Sequence, residues 1–300
     1  MVFTDNQIIT LNSKDAIKNN GTFLSDVVFN FKGLLKEETN ILRAYVRVMN
    51  AQIPVSFYTI DATNDILAYT LTTGGTLKTI VIPNGNYNAS SLISTMTTLF
   101  TANTDAITPT FNSLNGVLTF SSASSYTYYS YGSNGCSIGN VLGIGPSSLI
   151  GTNATCPYPL NLLNKKKIYI QSQHLFNVAY TSYNLGFTTT ITTIPVNQPP
   201  YNLINYVSLT DDDKVIIHNT TLNTIDIQII DENGALINFN NIDWSITLCL
   251  SIERVDTKRI HIENFNQFLQ LKEEPKDARA DGEAIGELTQ DEKDLELLQK

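Results

Sequence analysis

The sequence predicts an all-β protein, a sandwich or jelly roll, broken once by an α+β insertion. Three observations carry that reading. Only 16% of the 300 residues are charged, well below the usual quarter, and Thr, Asn, Ser and Ile fill the difference. Apolar residues alternate with polar ones in segment after segment, the period of half-buried strands. One amphipathic helix, within "GNYNASSLISTMTTLF" (85–100), stands alone among the strands. An apolar fraction of 42% supplies a proper core, in one large or two medium domains.

In chain order, residues 1–22 read as an extended polar arm with scattered Ile and Leu. Strands come next. In Asp26–Leu35, Val27, Phe29 and Phe31 alternate with Val28, Asn30 and Lys32. Ile41–Tyr58 sets Leu42, Ala44, Val46 and Val48 on one face and Arg43, Tyr45 and Arg47 on the other. Six more strand segments lie after residue 164: 165–173, 187–195, 201–209, 214–219, "IDIQIID" and "WSITLCLSIER". Ile225, Ile227 and Ile229 are expected inward, with Asp226 and Gln228 outward. Trp244, Ile246, Leu248, Leu250 and Ile252 share an apolar face, opposite Ser245, Thr247, Cys249, Ser251 and Glu253. Asn233-Gly234 marks a turn between the last two segments. Eight evenly spaced strands, two before residue 60 and six after 164, fit a sandwich or jelly roll.

Residues 61–163 obey another pattern. A hairpin is expected about Gly74-Gly75 and a second about Asn115-Gly116. Between them lies the helix, N-capped by Asn88, with Leu92, Ile93, Met96, Leu99 and Phe100 on one face. "GCSIGNVLGIG" (135–145) reads as one helical turn ended by Gly143. The helix therefore buries its stripe on the two hairpins, in a unit that interrupts the sandwich. From residue 265 the chain is charged and poor in apolar residues, a solvated tail. Its end carries a capping box, Thr289 with Glu292, and Leu295 and Leu298 on one face. The expected division is an arm (1–22), a β domain (23–60 with 164–264), an insertion (61–163) and an acidic tail (265–300).

Charge and motifs exclude several function classes. Net charge is −9. Lys272–Lys300 holds ten acids and five bases, a net −5 that leaves −4 for the body. Without a basic stripe, direct nucleic-acid binding is not expected. The first residues lack a signal-peptide pattern, and no run approaches a membrane span. Cys136, Cys156 and Cys249, odd in number and irregularly spaced, suit a chain made in a reducing cytosol. A Cys136–Cys156 bridge is the one pairing to consider. Asn20, Asn88, Asn153 and Asn219 begin Asn-X-Ser/Thr triplets expected by chance in so Asn- and Thr-rich a chain.

No catalytic, cofactor or metal site emerges. His174, His218 and His261 lie on separate segments with no carboxylate or Cys at ligand spacing. "TDDDK" (210–214) reads as a solvated turn, "GGT" (74–76) as a hairpin turn, and Cys136 as a structural thiol. "SYTYYSYGS" (Ser125–Ser133) is the candidate exposed contact stretch, since tyrosines make contacts at low entropic cost.

The order of "IPNGNY", "SSLI…L", "NGVLTF" and "SIGNVLGIG" within the insertion, closed by "INFNNIDWSITLCLSIE", resembles the penton, or minor capsid, proteins of virophages and Polinton-type viruses, mavirus-like ones above all. The resemblance runs from about Thr22 to Glu263. It implies a single eight-stranded jelly roll whose second strand is followed by the insertion. It also implies a structural, non-enzymatic virion protein, assembled in the host cytoplasm and placed at the capsid vertex. Five copies would ring each five-fold axis, beside the major capsid protein, with the insertion facing outward and free to meet a host receptor or glycan. The rival reading is a carbohydrate- or receptor-binding β-sandwich, fibre- or lectin-like. It needs an exposed aromatic platform, and the sole tryptophan, Trp244, falls on an apolar strand face.

Overall fold

The computed structural model describes residues 2–19, 23–35, 40–163, 165–175, 179–181, 186–210, 213–217 and 222–255. His218, His261, Asp211, Asp212 and the whole predicted tail, including its capping box, lie outside them. Contacts divide the chain into one unit of Thr4–Arg254 and another of Met1–Phe3 with Val255–Lys300.

The chain opens with β1 (Val2–Asn12), a 3-10 turn (Ser13–Asp15), β2 (Ile17–Lys18), β3 (Asp26–Leu35) and β4 (Ile41–Pro54). Then come β5 (Ile66–Leu71), β6 (Lys78–Val81), α1 (Ala89–Ala102), β7 (Ile107–Asn112), β8 (Val117–Tyr128), α2 (Gly139–Leu142) and β9 (Leu149–Thr155). The remainder holds β10 (Lys167–Gln171), β11 (Ala179–Thr181), β12 (Gly186–Thr188), β13 (Thr190–Pro195), β14 (Leu203–Val207), β15 (Val215–Ile217), β16 (Leu222–Ile230) and β17 (Ser245–Val255).

One sheet runs β1-β17-β4-β14, with β15 also on β4; another runs β13-β10-β16-β3-β2. Counting β14 and β15 as one line and lettering the eight long strands B to I in chain order, the sheets read B-I-D-G and F-E-H-C. That is jelly-roll order. The inward faces share one core, including Leu11, Val27, Val46, Ile53, Ile227 and Leu250. Ile225, Ile227 and Ile229 are buried as their alternation predicts.

Two departures from the expected pattern have a common cause in β4. Its ladder with β17 passes from Asn50 directly to Val48 and from Arg43 directly to Ile41. Met49 and Leu42 are therefore bulged residues. The first bulge moves the inward set from Ala44, Val46 and Val48 to Ala51 and Ile53. The second leaves Leu42 outside the ladder and 52% exposed.

The predicted N-terminal arm is a correction. Residues 4–12 belong to β1, an edge strand of the roll paired with β17. Ile9 and Leu11 point into the core. Ser13 then fastens the chain: its N–H donates to the Trp244 carbonyl at 3.0 Å, and its hydroxyl accepts from the Trp244 N–H at 3.0 Å. The strand roster changes accordingly. Segments 201–209 and 214–219, expected as two strands, contribute β14 and β15 along the same partner, and β1 makes up the eight.

Residues 60–162 contribute a second core. Their sheet runs β6-β5-β8-β7, with β9 also on β8. α1 lies on it through Leu92, Met96 and Phe100, all buried. Asn88 caps the helix by accepting from the Ser91 N–H at 2.8 Å, while the Ser91 hydroxyl accepts from the Asn88 N–H at 3.0 Å. Gly143 ends α2 with φ 76°.

Both stems of this insert are held by the connection between β16 and β17. Phe57 meets Phe239 edge-on, with ring centroids 6.3 Å apart, and Asn240 Nδ2 donates to the Ser56 carbonyl at 2.6 Å. At the return, Lys165 Nζ lies 2.7 Å from the buried Asp231 carboxylate.

An arm and an edge strand respond differently to substitution. Leu11→Ala is expected to cost about 2–5 kcal/mol, whereas Ile8→Ala, on the outer face, should stay within about 0.5 kcal/mol. Urea denaturation of the two variants checks this, and equal, negligible effects would restore the arm.

Candidate functional site

Two different edges of the sandwich expose apolar side chains. One is formed by β14 and β15. Alternation there sends Ile204 and Ile217 inward and leaves Leu203, Val207 and Ile216 exposed. Tyr201 and Leu209, the latter 92% exposed, extend the strip. Opposite Leu203, Val207 and Ile216 on β4 stand Pro54, Asn50 and Tyr45, all uncharged, while Arg47 reaches the end of the strip and donates to the Thr210 carbonyl at 3.3 Å. An edge strand this apolar is the kind that natural proteins normally blunt or cover. The opposite side, along β1 and β2, exposes Ile8 and Ile17.

Two buried carboxylates fasten segments that strand pairing alone does not hold. Asp226, expected at the surface of β16, is on the outer face but buried. Residues 172–175 cover it. Its Oδ1 accepts from the Ser172 hydroxyl at 2.7 Å and the His174 N–H at 2.8 Å, and its Oδ2 accepts from the Gln173 N–H at 2.9 Å. His174 Nδ1 is a further 2.7 Å from Oδ1. Burial pushes this carboxyl toward protonation, but the His174 and Gln173 N–H groups, then Ser172 and the His174 ring, outweigh it and hold the pKa below its ordinary value. His174 thus has a carboxylate partner 52 positions away, invisible to a search for short ligand spacing.

Asp105 does the same within the insert. Lys78 Nζ lies 2.8 and 2.9 Å from its oxygens. The Tyr69 hydroxyl donates at 2.7 Å and that of Tyr126 at 3.1 Å. Asn103 Nδ2, at the end of α1, donates to Tyr69 Oη and to the Thr79 carbonyl, both at 3.0 Å. Burial again opposes ionisation, and the bonds from Lys78, Tyr69 and Tyr126 overcome it, leaving the Asp105 pKa lowered. Desolvation pushes the Tyr69 and Tyr128 hydroxyls up.

This cluster corrects the expected contact stretch. Tyr126 and Tyr128 are core residues: Tyr128 stacks on Phe120 with centroids 4.4 Å apart and on Tyr69 at 6.4 Å. Of the four tyrosines only Tyr131 is well exposed. The three cysteines are free and buried. Burial raises the Cys156 thiol to about 12, which suits a packing role and not a nucleophile. Cys249 lies on the outer side of β17, covered by Asn6, whose Oδ1 accepts from the Ser251 hydroxyl at 2.7 Å. Among the described residues no three His, Cys, Asp or Glu side chains are grouped to hold a metal ion. A feature the sequence did not signal is an open depression on the insert beside Tyr158.

Fold and surface together define a single jelly roll carrying a separately cored insert between its third and fourth long strands, one later than the sequence suggested because β1 is itself a strand of the roll, with an apolar strip along β14 and β15. No family model matches the chain, and no curated protein matches it. Among solved structures it is similar to the mavirus penton protein, in a selenomethionine crystal structure, with 14% identity, a TM-score of 0.41 and coverage of 82% of this chain and 99% of that one. It is also similar to a chain of the Sputnik virophage, solved at 3.5 Å by cryo-electron microscopy, with 13% identity, a TM-score of 0.39 and coverage of 84% and 98%.

The lowered carboxylates set a sign for pH dependence. A carboxyl with a folded pKa below its unfolded one stabilises the fold fully above the unfolded value, about 4, and loses that contribution as pH falls through the folded value. Thermal midpoints are therefore expected to be flat from about pH 7 to 5 and to fall below about pH 4. Asp226→Asn should cost about 1–3 kcal/mol at pH 7 and make the acid decline shallower. Calorimetry across this range checks it; an unchanged acid slope in Asp226→Asn would remove Asp226 as a contributor.

Proposed function

We propose that this chain is a structural capsid protein of a virion, without enzymatic activity, whose copies form five-membered rings at the icosahedral vertices. The observation that carries this reading is the apolar strip of β14 and β15, Leu203, Val207, Leu209 and Ile216, on one side of an otherwise complete roll. A closed ring needs a heterologous contact, in which one side of a subunit meets a different side of the next. Two separate edges of this sandwich offer apolar surface for such a contact, the strip on one and Ile8 with Ile17 on the other. Low charge supports it further, because dense packing of like subunits then meets little repulsion. The motif order, which resembles that of virophage pentons, points to the same class.

In this arrangement the roll packs beside its copies and the major capsid protein. The insert, whose core is its own, projects outward without disturbing the ring. Particle assembly brings the contact about even where the free chain is monomeric.

Val207→Asp places a charge in the middle of the strip. It is expected to abolish ring formation, or incorporation into particles, while leaving the melting temperature nearly unchanged. Light scattering of the purified chain and cryo-electron microscopy of particles read the two outcomes. A charged strip that still yields rings, or a wild-type chain that never joins a shell, overturns the proposal.

A further inference from the structure

The open depression on the insert has a volume of about 410 Å³ and is walled by Gly143, Gly145, Pro146 and Pro159. Tyr158, Asn140 and Asn161 complete the lining. The site is built on hydrogen-bonded backbone. The Tyr158 N–H donates to the Gly143 carbonyl at 3.2 Å, and the Asn161 N–H to the Val141 carbonyl at 2.7 Å. Glycine is required on the facing wall. Gly143 has φ +76°, and a Cβ there would strike the Tyr158 carbonyl oxygen. At Gly145, φ +82°, a Cβ would come within 2.9 Å of the Tyr158 ring. The ring so presented is 55% exposed.

Its surroundings are polar yet uncharged. Among the described residues, neither the Asn140 amide nor the Tyr158 hydroxyl has a protein hydrogen-bond partner. Asn161 commits its Oδ1 to the Leu163 N–H at 3.2 Å, and its Nδ2 remains for a ligand. We propose that this depression binds a neutral saccharide, with the C–H face of one sugar ring against Tyr158 and its hydroxyls on Asn140 and Asn161.

The chemistry of the lining selects that class. Carboxamides donate and accept at once, which a sugar hydroxyl also does. An anion would find no cationic side chain in the lining, and a cation no carboxylate. A wholly apolar ligand would desolvate the Asn140 amide and Asn161 Nδ2 without pairing them. The volume lies within the range of small-molecule sites, about 300–1,000 Å³. An amphipathic ring at the mouth of the depression serves a ligand with one apolar face and a polar rim. The inference stands apart from the capsid reading, since every lining residue belongs to the insert.

Saturation-transfer NMR on the full chain tests it, with the methyl glycosides of glucose, mannose, galactose and N-acetylglucosamine, and with lactose against sialyllactose. The expected result is transfer to the C–H protons of at least one methyl glycoside. Tyr158→Ala should weaken that binding about tenfold or more, the scale of one lost stacking contact. Asn140→Ala should weaken it as well, Tyr158→Phe should retain it, and all three variants should melt with the wild type. Lactose binding more tightly than sialyllactose supports a neutral site. Overturning results are no transfer to any neutral sugar, transfer that survives Tyr158→Ala, or equal binding of the sialylated sugar. Sugar binding by a chain that never forms rings would leave this inference standing and remove only the capsid one; rings without sugar binding would do the reverse.

Discussion

The antiparallel ladder between β4 and β17 is the constraint on which the rest of the molecule depends. It pairs residues such as Gln52 and Ser245, which are 193 positions apart. Because β17 also pairs with β1, the beginning and the end of the described chain lie side by side in one sheet. The insert leaves from the end of β4, in that sheet, and returns at β10, in the other. A jelly roll must cross between its sheets at this point. The extra residues therefore occupy a connection that already runs over the end of the sandwich, where loop growth costs little.

Much of this organisation was legible in the sequence, for reasons of period. The Ile225, Ile227, Ile229 alternation and the Leu92, Met96, Phe100 spacing each have a buried face wide enough to leave a clear signal. β1 escaped because only Ile9 and Leu11 point inward from a strand with one open edge, so its composition reads as a polar arm. Tyr126 and Tyr128 show the right alternation, but tyrosine serves core and surface alike. What decides between them is Asp105, which receives the Tyr69 and Tyr126 hydroxyls from a different segment. Leu42 obeys the period of its strand and still lies outside, because a bulge is set by the partner's register and not by the local pattern. Tyr158 sits in no periodic element at all, so nothing in the pattern announced it.

The two buried carboxylates share a logic. Strand ladders satisfy backbone groups within sheets but do not fasten the turns and helix ends that leave them. Asp226 gathers the N–H groups of residues 173 and 174, and Asp105 ties α1 to the sheet through Lys78, Tyr69 and Asn103. Each has its pKa held below the ordinary carboxyl value although burial alone would raise it, because several donors converge on it. Such groups fix one arrangement of a loop among many that apolar packing alone would tolerate.

The separate core of residues 60–162 has a consequence for how the molecule is made. Its contacts are contiguous in sequence, so a chain growing on a ribosome has the whole unit in hand before β10 exists. The roll waits for its last strand, because β1 and β4 have no common neighbour until β17 emerges. During that interval the early strands present unpaired edges with apolar faces, the state in which nascent β proteins are most prone to mispairing. A folded globule tethered to the end of β4 sets an excluded volume beside those edges for as long as they stay open.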